Sequence, residues 1–195
     1  MATETKTIRS RRTRAALITA VHKHLETRGT FTAADIAADV GCTVGTFWAH
    51  FENKDDAIAA AFSEALDELV TLTGIIFGDG PRGLKSSAPH ERQQWASEAI
   101  DQLIGYFASK ALLYRLAISR LPEHRPIREA YRRAEAATVT LATEALPGPD
   151  EQADGEALVS FCQGINNPIV LRSKRDDRVR ERLGLALTAL TTEHR

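Results

Sequence analysis

Residues 31–54 read FTAADIAADVGCTVGTFWAHFENK, and the rest of the chain can be placed around them. Thr32 is a helix N-cap type, and Asp35 three residues on matches the return half of a capping box. The spacing predicts a short helix over Ala33–Val40, with Ile36, Ala37 and Val40 on one face. Gly41 can take the positive φ that ends a helix, so the chain can turn at once. Thr43 caps again, and Val44–His50 makes a second helix of about two turns. Cys42, Phe47 and Phe51 can point back at the first helix and hold the pair together. That leaves Val44, Gly45, Thr46, Trp48, Ala49 and His50 on the outside.

A rod of this size, roughly 10 Å long, fits a DNA major groove. Gly45 leaves room for another backbone to approach. Trp48 and His50 add an aromatic body and polar tips to a small surface; the bland alternative is that Trp48 is core. Asn53 caps the next helix, and Asp55 and Asp56 suit its positive end. Lys54 opposes that dipole, which makes sense if an anion such as a phosphate docks there. Its bland alternative is a solvated lysine.

The pattern Ile36-Ala37-x-x-Val40-Gly41-Cys42-Thr43-x-Gly45-Thr46-Phe47-Trp48-x-His50-Phe51-x-x-Lys54-Asp55 resembles the DNA-binding signature of the tetracycline-repressor (TetR) family of bacterial transcription regulators. The likeness reaches back to Arg14 and forward to about Leu69. Two departures stand out: Trp48 where the family usually has Tyr, and Thr43 where it usually has Ser. Thr still caps, and Trp offers an indole N–H in place of a phenol. The resemblance implies an all-α chain of about nine helices. Residues 1–53 would be a helix-turn-helix DNA-binding domain with a basic N-terminal arm, and residues 54–195 a helical domain for effector binding and dimerisation. It implies DNA contacts from Thr32, Thr43, Val44, Gly45, Thr46, Trp48, His50 and Lys54, with Arg11 and Arg12 alongside.

The chain has 195 residues, 43% hydrophobic and 26% charged, with a net charge of −1. That is ordinary globular composition. No apolar run approaches the length of a membrane span, and the N-terminus lacks the apolar segment of a secretory signal. Cys42 and Cys162 lie far apart with no metal-ligand spacing, which fits a cytoplasmic protein with reduced thiols. Charge is uneven: Lys6, Arg9, Arg11, Arg12 and Arg14 face only Glu4 in the first 14 residues. Such an arm can follow a phosphate backbone, or be a solvated tail.

Ser10–Arg28 reads as the first long helix, with Ala15, Ile18, Val21 and Leu25 as its stripe, and Gly29 ends it. A fourth helix runs from Lys54 to about Leu72 on Ile58, Phe62, Ala65 and Leu69. The Gly- and Pro-rich run from Gly74 to His90 reads as a loop without phosphate-loop spacing. Everything after it reads helical: Glu91–Phe107, Lys110–Leu121, a helix opened by Pro126 and ending at Leu146, Glu151–Leu171 with a kink at Pro168, and a last helix on Val179, Leu183, Leu187 and Leu190. No strand is evident.

One small head reads only a half-site, so a second copy at fixed spacing improves specificity. Apolar stripes near the chain end suit pairing across a two-fold axis, which points to Phe161, Cys162, Ile165, Leu183, Leu187 and Leu190 as a homodimer interface. The alternative is that they fill the monomer core. Trp95, Tyr106, Phe107, Tyr114, Tyr131 and Phe161 could line an apolar pocket, with Asn166 beside the Pro168 kink supplying a polar tip. An aromatic stripe is also ordinary core. Regulators of the resembled family usually bind a small molecule in this body and then release a palindromic operator, by a shift between two head spacings. An apolar or aromatic effector is the expectation. No cofactor or metal is expected. Catalysis is not expected either, since HExxH, G-x-S-x-G and CxxC are all absent. A helical adaptor that binds no DNA is the competing reading, and it would show no salt-dependent retention on DNA.

Overall fold

A computed structural model of the chain describes residues 2–78, 88–145, 157, 160 and 177–190. Its described part is all-α, with eight helices and no strand: α1 Ala2–Arg28, α2 Ala33–Val40, α3 Val44–His50, α4 Lys54–Gly78, α5 Pro89–Ser109, α6 Ala111–Ile118, α7 Arg125–Ala145 and α8 Asp177–Leu190. Ala157 and Ser160 are also helical. None of the described helices is long and apolar enough to cross a membrane.

The chain divides into two compact units. The first is Met1–Ala65 with Leu112–Ala130, and the second is Leu66–Ala111 with Tyr131–Arg195. The sequence boundary between residues 53 and 54 falls at the start of α4, inside the first unit.

In the first unit, Leu17, Ile18, Val21 and Leu25 of α1 are buried with Phe31, Ile36, Phe47, Phe51, Ile58 and Phe62. Leu113, Tyr114 and Ala117 of α6 and Ile127 of α7 belong to the same core. Ala15, expected in the α1 stripe, is exposed, and Leu17 takes its place. Gly29 and Gly41 have φ of 69° and 71°, left-handed values that only glycine adopts without strain, and each ends the helix before it.

Three boundaries differ from the sequence reading by three residues or more. First, α1 begins at Ala2 rather than Ser10, so the expected basic arm is a helical extension. No Gly or Pro occurs before Gly29, and hydroxyls that could compete with the backbone bond back into the helix instead. Thr13, Thr19 and Thr27 donate to the carbonyls of Arg9, Ala15 and Lys23 at 2.8–3.0 Å. Second, α4 runs to Gly78, through Gly74 and into the expected loop. Ile76 and Phe77 are buried in the second unit, and this burial outweighs the roughly 1 kcal/mol that a helical glycine costs. Third, α6 ends at Ile118, and hydrogen-bonded turns carry the chain through Glu123.

In the second unit, Trp95 of α5 stacks edge-on against Phe77, 5.7 Å between centroids, and its indole N–H donates to the Ile76 carbonyl at 3.3 Å. Helix α8 packs on α5. Leu187, expected at a dimer interface, is fully buried within the single chain, so it is a core residue. Leu183 is half-buried, and Leu185 is 42% exposed. Phe161, Cys162, Ile165, Asn166 and Pro168 lie outside the described residues, as does the side chain of Leu190.

Candidate nucleic-acid interface

Helix α2 starts at Thr32, whose hydroxyl accepts from the Asp35 N–H at 3.1 Å and donates to the Asp35 carboxylate at 2.7 Å. That hydroxyl contact, more than any other, holds the Asp35 carboxyl below its usual pKa. The helix ends with the N–H groups of Gly41 and Cys42 bonded back to Ala38 and Ala37. Two residues later Thr43 opens α3 by accepting from the Thr46 N–H at 3.1 Å, and the two threonine hydroxyls lie 3.0 Å apart.

Three aromatic rings seat α3 in the first unit. Phe47 is fully buried and meets Phe31 and Phe51 at centroid distances of 6.4 and 5.0 Å. Trp48, the next residue, turns its ring edge-on to Phe47 at 4.9 Å and stays 46% exposed. A core role for Trp48 is therefore excluded. Val44 is 41% exposed, and Gly45 and Ala49 are exposed too. Thr46, His50 and Cys42 are half-buried. The free face of α3 is thus Val44, Gly45, Trp48 and Ala49, with Thr46 and His50 at its margins. One face of a two-turn helix must bury Phe47 and Phe51, so the residues between them project outward.

The flanking cations divide into two kinds. Arg11 and Arg12 are exposed on α1. Arg14, also expected to reach phosphates, donates Nη1 to the His50 carbonyl at 2.8 Å, with its guanidinium 4.7 Å from the Phe51 ring centre. Lys54 is exposed, yet its ammonium lies 4.7 Å from the Phe31 ring centre and donates to Thr30 Oγ1 at 3.3 Å. A cation at the start of α4 therefore has an internal reason to be there as well. Asn53 caps α4 by accepting from the Asp56 N–H at 2.9 Å.

Several contacts that hold this surface in place were invisible in the sequence. His22 and His24, two apart on α1, face different helices, as their spacing requires. His22 Nε2 lies 2.8 Å from the Ala61 carbonyl of α4. His24 is buried, with Nε2 2.9 Å from Asp39 Oδ2 of α2. That contact is the main reason the Asp39 carboxyl sits below its usual pKa, with Lys23 adding to it. Asp55 and Asp56 of α4 face Arg120 and His124 on the turn after α6. No local spacing signals these pairs, because their members are far apart in the chain.

The residues expected to bind an effector fall into both units. Tyr114 is buried in the first, edge-on to Phe62 at 5.1 Å. Trp95, Tyr106, Phe107 and Tyr131 belong to the second. Phe107 is buried against Tyr106, whose ring lies 5.7 Å from the Lys110 ammonium, and Lys110 pairs with Glu68 at 2.8 Å. Tyr131 is half-buried, and burial, then Glu135, push its hydroxyl above the usual pKa. Among the described residues no cluster of His, Cys, Asp and Glu is arranged to hold a metal.

No protein-family model matches the sequence, and no curated protein is significantly similar to it. Solved structures are similar along most of the chain. One is described as a transcriptional regulator from Streptomyces coelicolor A3(2): TM-score 0.70, 15% identity, covering 93% of this chain and 99% of that one. A TetR-family transcriptional regulator from Mesorhizobium loti gives 0.67 at 19% identity, over 94% and 96% of the two chains. The multidrug binding protein EbrR, complexed with malachite green, gives 0.60 at 19% identity, over 91% and 96%. A helix-turn-helix seated on an aromatic core, in an all-α chain that superposes on such regulators along nine-tenths of its length, is the fold of the TetR-family transcriptional regulators.

Proposed function

We propose that this chain is a TetR-family regulator of transcription that binds a palindromic DNA operator as a homodimer. The observation that carries the reading is the free face of α3. Phe47 and Phe51 are buried, while Val44 and Trp48 of the same short helix are exposed. A two-turn helix with small residues at Gly45 and Ala49 can approach base edges closely. Thr43, Thr46, His50 and Lys54 border it, and Thr32, Arg11 and Arg12 extend the phosphate-facing set. Residues 1–53 form the DNA-reading part, and residues 54–195 take up effector and partner.

Repression relieved by a small apolar or aromatic molecule is the regulatory mode we infer. Two things support it: the aromatic side chains Trp95, Tyr106 and Tyr131 of the second unit, and the fold shared with EbrR, which binds malachite green. Such a ligand acts only if it favours the head spacing that does not fit the operator. Dimerisation sets that spacing at about one helical turn, roughly 34 Å.

The test is selection by the full-length protein from a random duplex pool, followed by a footprint. Enrichment of an inverted repeat, with affinity that falls steeply as salt rises, is the expected result. Failure to retain any duplex at low salt would make the chain a helical adaptor instead.

A further inference from the structure

Arg14 is placed differently from the other cations of α1. Arg11 and Arg12 are exposed, whereas Arg14 is half-buried and aimed at the far end of α3. From the position that we propose for α3 in the major groove, we infer that Arg14 is a positioning residue for DNA recognition, acting through the His50 carbonyl and not through a phosphate.

Helix α3 has only 7 residues. A helix this short has no stability of its own, and its last carbonyls lack intrahelical partners. The Phe51 N–H serves the Phe47 carbonyl at 3.1 Å. The His50 carbonyl is served from outside, by Arg14 at 2.8 Å. The guanidinium brings a positive charge to the negative end of the helix dipole, and a charge-assisted hydrogen bond is about twice as strong as a neutral one. Its face also lies over Phe51, one of the two rings that seat the helix. Thr43 caps the opposite end within α3 itself, through the Thr46 N–H. The buried Phe47 ring seats the middle of the helix and Arg14 ties its far end to α1, so the exposed residues have one direction to face. Without the Arg14 tie, α3 can tilt about Phe47 and carry Trp48 and Ala49 away from their contacts. Base contacts depend on geometry much more steeply than phosphate contacts do, so selectivity is what a tilt removes.

Two other roles for Arg14 predict different results. A phosphate contact would weaken binding to every duplex and reduce the slope of log affinity against log salt by about 0.9. A purely stabilising contact would lower the folded fraction and leave the ratio of specific to random binding unchanged.

The experiment uses full-length protein with Arg14→Gln, Arg14→Lys and Arg11→Gln, each confirmed folded by circular dichroism. The probes are a duplex enriched by the unsubstituted protein and a random duplex of equal length. For Arg14→Gln the specific-to-random ratio should fall by about tenfold or more, the loss of one charged hydrogen bond, with the salt slope unchanged. Arg14→Lys should not restore the ratio, because a lysine cannot both stack on Phe51 and donate in a fixed fork. Arg11→Gln should do the reverse, reducing the slope and sparing the ratio. Amide exchange without DNA supplies an independent arm: residues 48–51 should exchange faster in Arg14→Gln, while residues 17–25 of α1 keep their protection. An unchanged ratio, a reduced slope for Arg14→Gln, or full rescue by lysine would each overturn the inference. If the unsubstituted protein enriches no sequence, the DNA-binding reading fails. Unaltered exchange at residues 48–51 overturns the Arg14 anchor by itself.

Discussion

Asp55, in the first turn of α4, accepts a charge-assisted hydrogen bond from Nε of Arg120, on the turn that follows α6. Asp56 beside it lies 3.3 Å from His124 Nε2. Arg128 braces the same turn by donating to the carbonyls of Leu121 and Pro122 at 2.9 Å. The residues directly after α3 and Phe51 are thus tied in two directions, Lys54 to Phe31 and the two aspartates to residues 120–124. The side chains of Arg120 and Asp55 are 31% and 43% exposed, so solvent screens the pair. A double-mutant cycle of Arg120→Ala and Asp55→Ala, read by urea unfolding, should give a coupling energy of about 0.5–1 kcal/mol. A value near zero would mean that the pair contributes nothing beyond its geometry.

Phe47 is fully buried among Phe31, Phe51 and Trp48. Phe47→Ala should destabilise the first unit by about 3–5 kcal/mol, whereas Phe47→Leu, which keeps most of the volume, should cost under about 1.5 kcal/mol. Chemical denaturation followed by far-UV circular dichroism checks both. DNA retention should be lost for Phe47→Ala and kept for Phe47→Leu.

On DNA, the exposed face and its border should respond differently. Thr46→Ala should weaken binding to enriched and random duplexes alike, because phosphates carry no sequence information. Val44→Arg should instead change which sequence is enriched. If a selection with Val44→Arg returns the same operator at the same affinity, α3 is not the element that reads bases.

The acid limb of stability should depend on Asp39. His24 holds its carboxyl below the usual pKa. A carboxylate with a native pKa below its unfolded value stabilises the fold at pH above the unfolded value, about 3.9, and that contribution disappears as pH falls through the native one. Asp35, lowered by Thr32, acts in the same sense. Asp39→Asn should therefore flatten the loss of stability below about pH 4. Thermal melts of the two proteins between pH 3 and pH 7 make the comparison.

Leu187 tests the role of α8. Because it is fully buried within one chain, Leu187→Ala should lower stability by about 2–5 kcal/mol. It should leave the dimer dissociation constant, measured by sedimentation, unchanged. A dimer weakened by Leu187→Ala at constant melting temperature would restore the interface role that its spacing first suggested.

Local features were legible before any coordinates. Thr32, Gly41, Thr43 and Asn53 set helix ends through bonds to residues three or four positions away, so the chain itself carries the information. The buried faces of α2 and α3 followed from spacing for the same reason. Helix lengths were less legible. Gly74 argued for a loop, but burial of Ile76 and Phe77 prolonged α4, and burial is a property of the folded neighbourhood. The basic residues before Ser10 argued for an arm, and the backbone there is helical.

By itself, then, the sequence determined the all-helical class, the caps, and which side of α3 faces outward, because short-range hydrogen bonds and helical periodicity are encoded within a few residues. Tertiary structure alone decided which distant partners the charged groups of α1 and α4 take. Arg14 and Arg11 are three residues apart and chemically identical, yet one grips the end of α3 and the other is exposed. Leu187 and Leu185 are two apart on α8, yet one is core and the other solvent-facing. A side chain's partner is chosen by whatever the fold brings within a few ångströms, and here that came from segments tens of residues away, where no local pattern reaches.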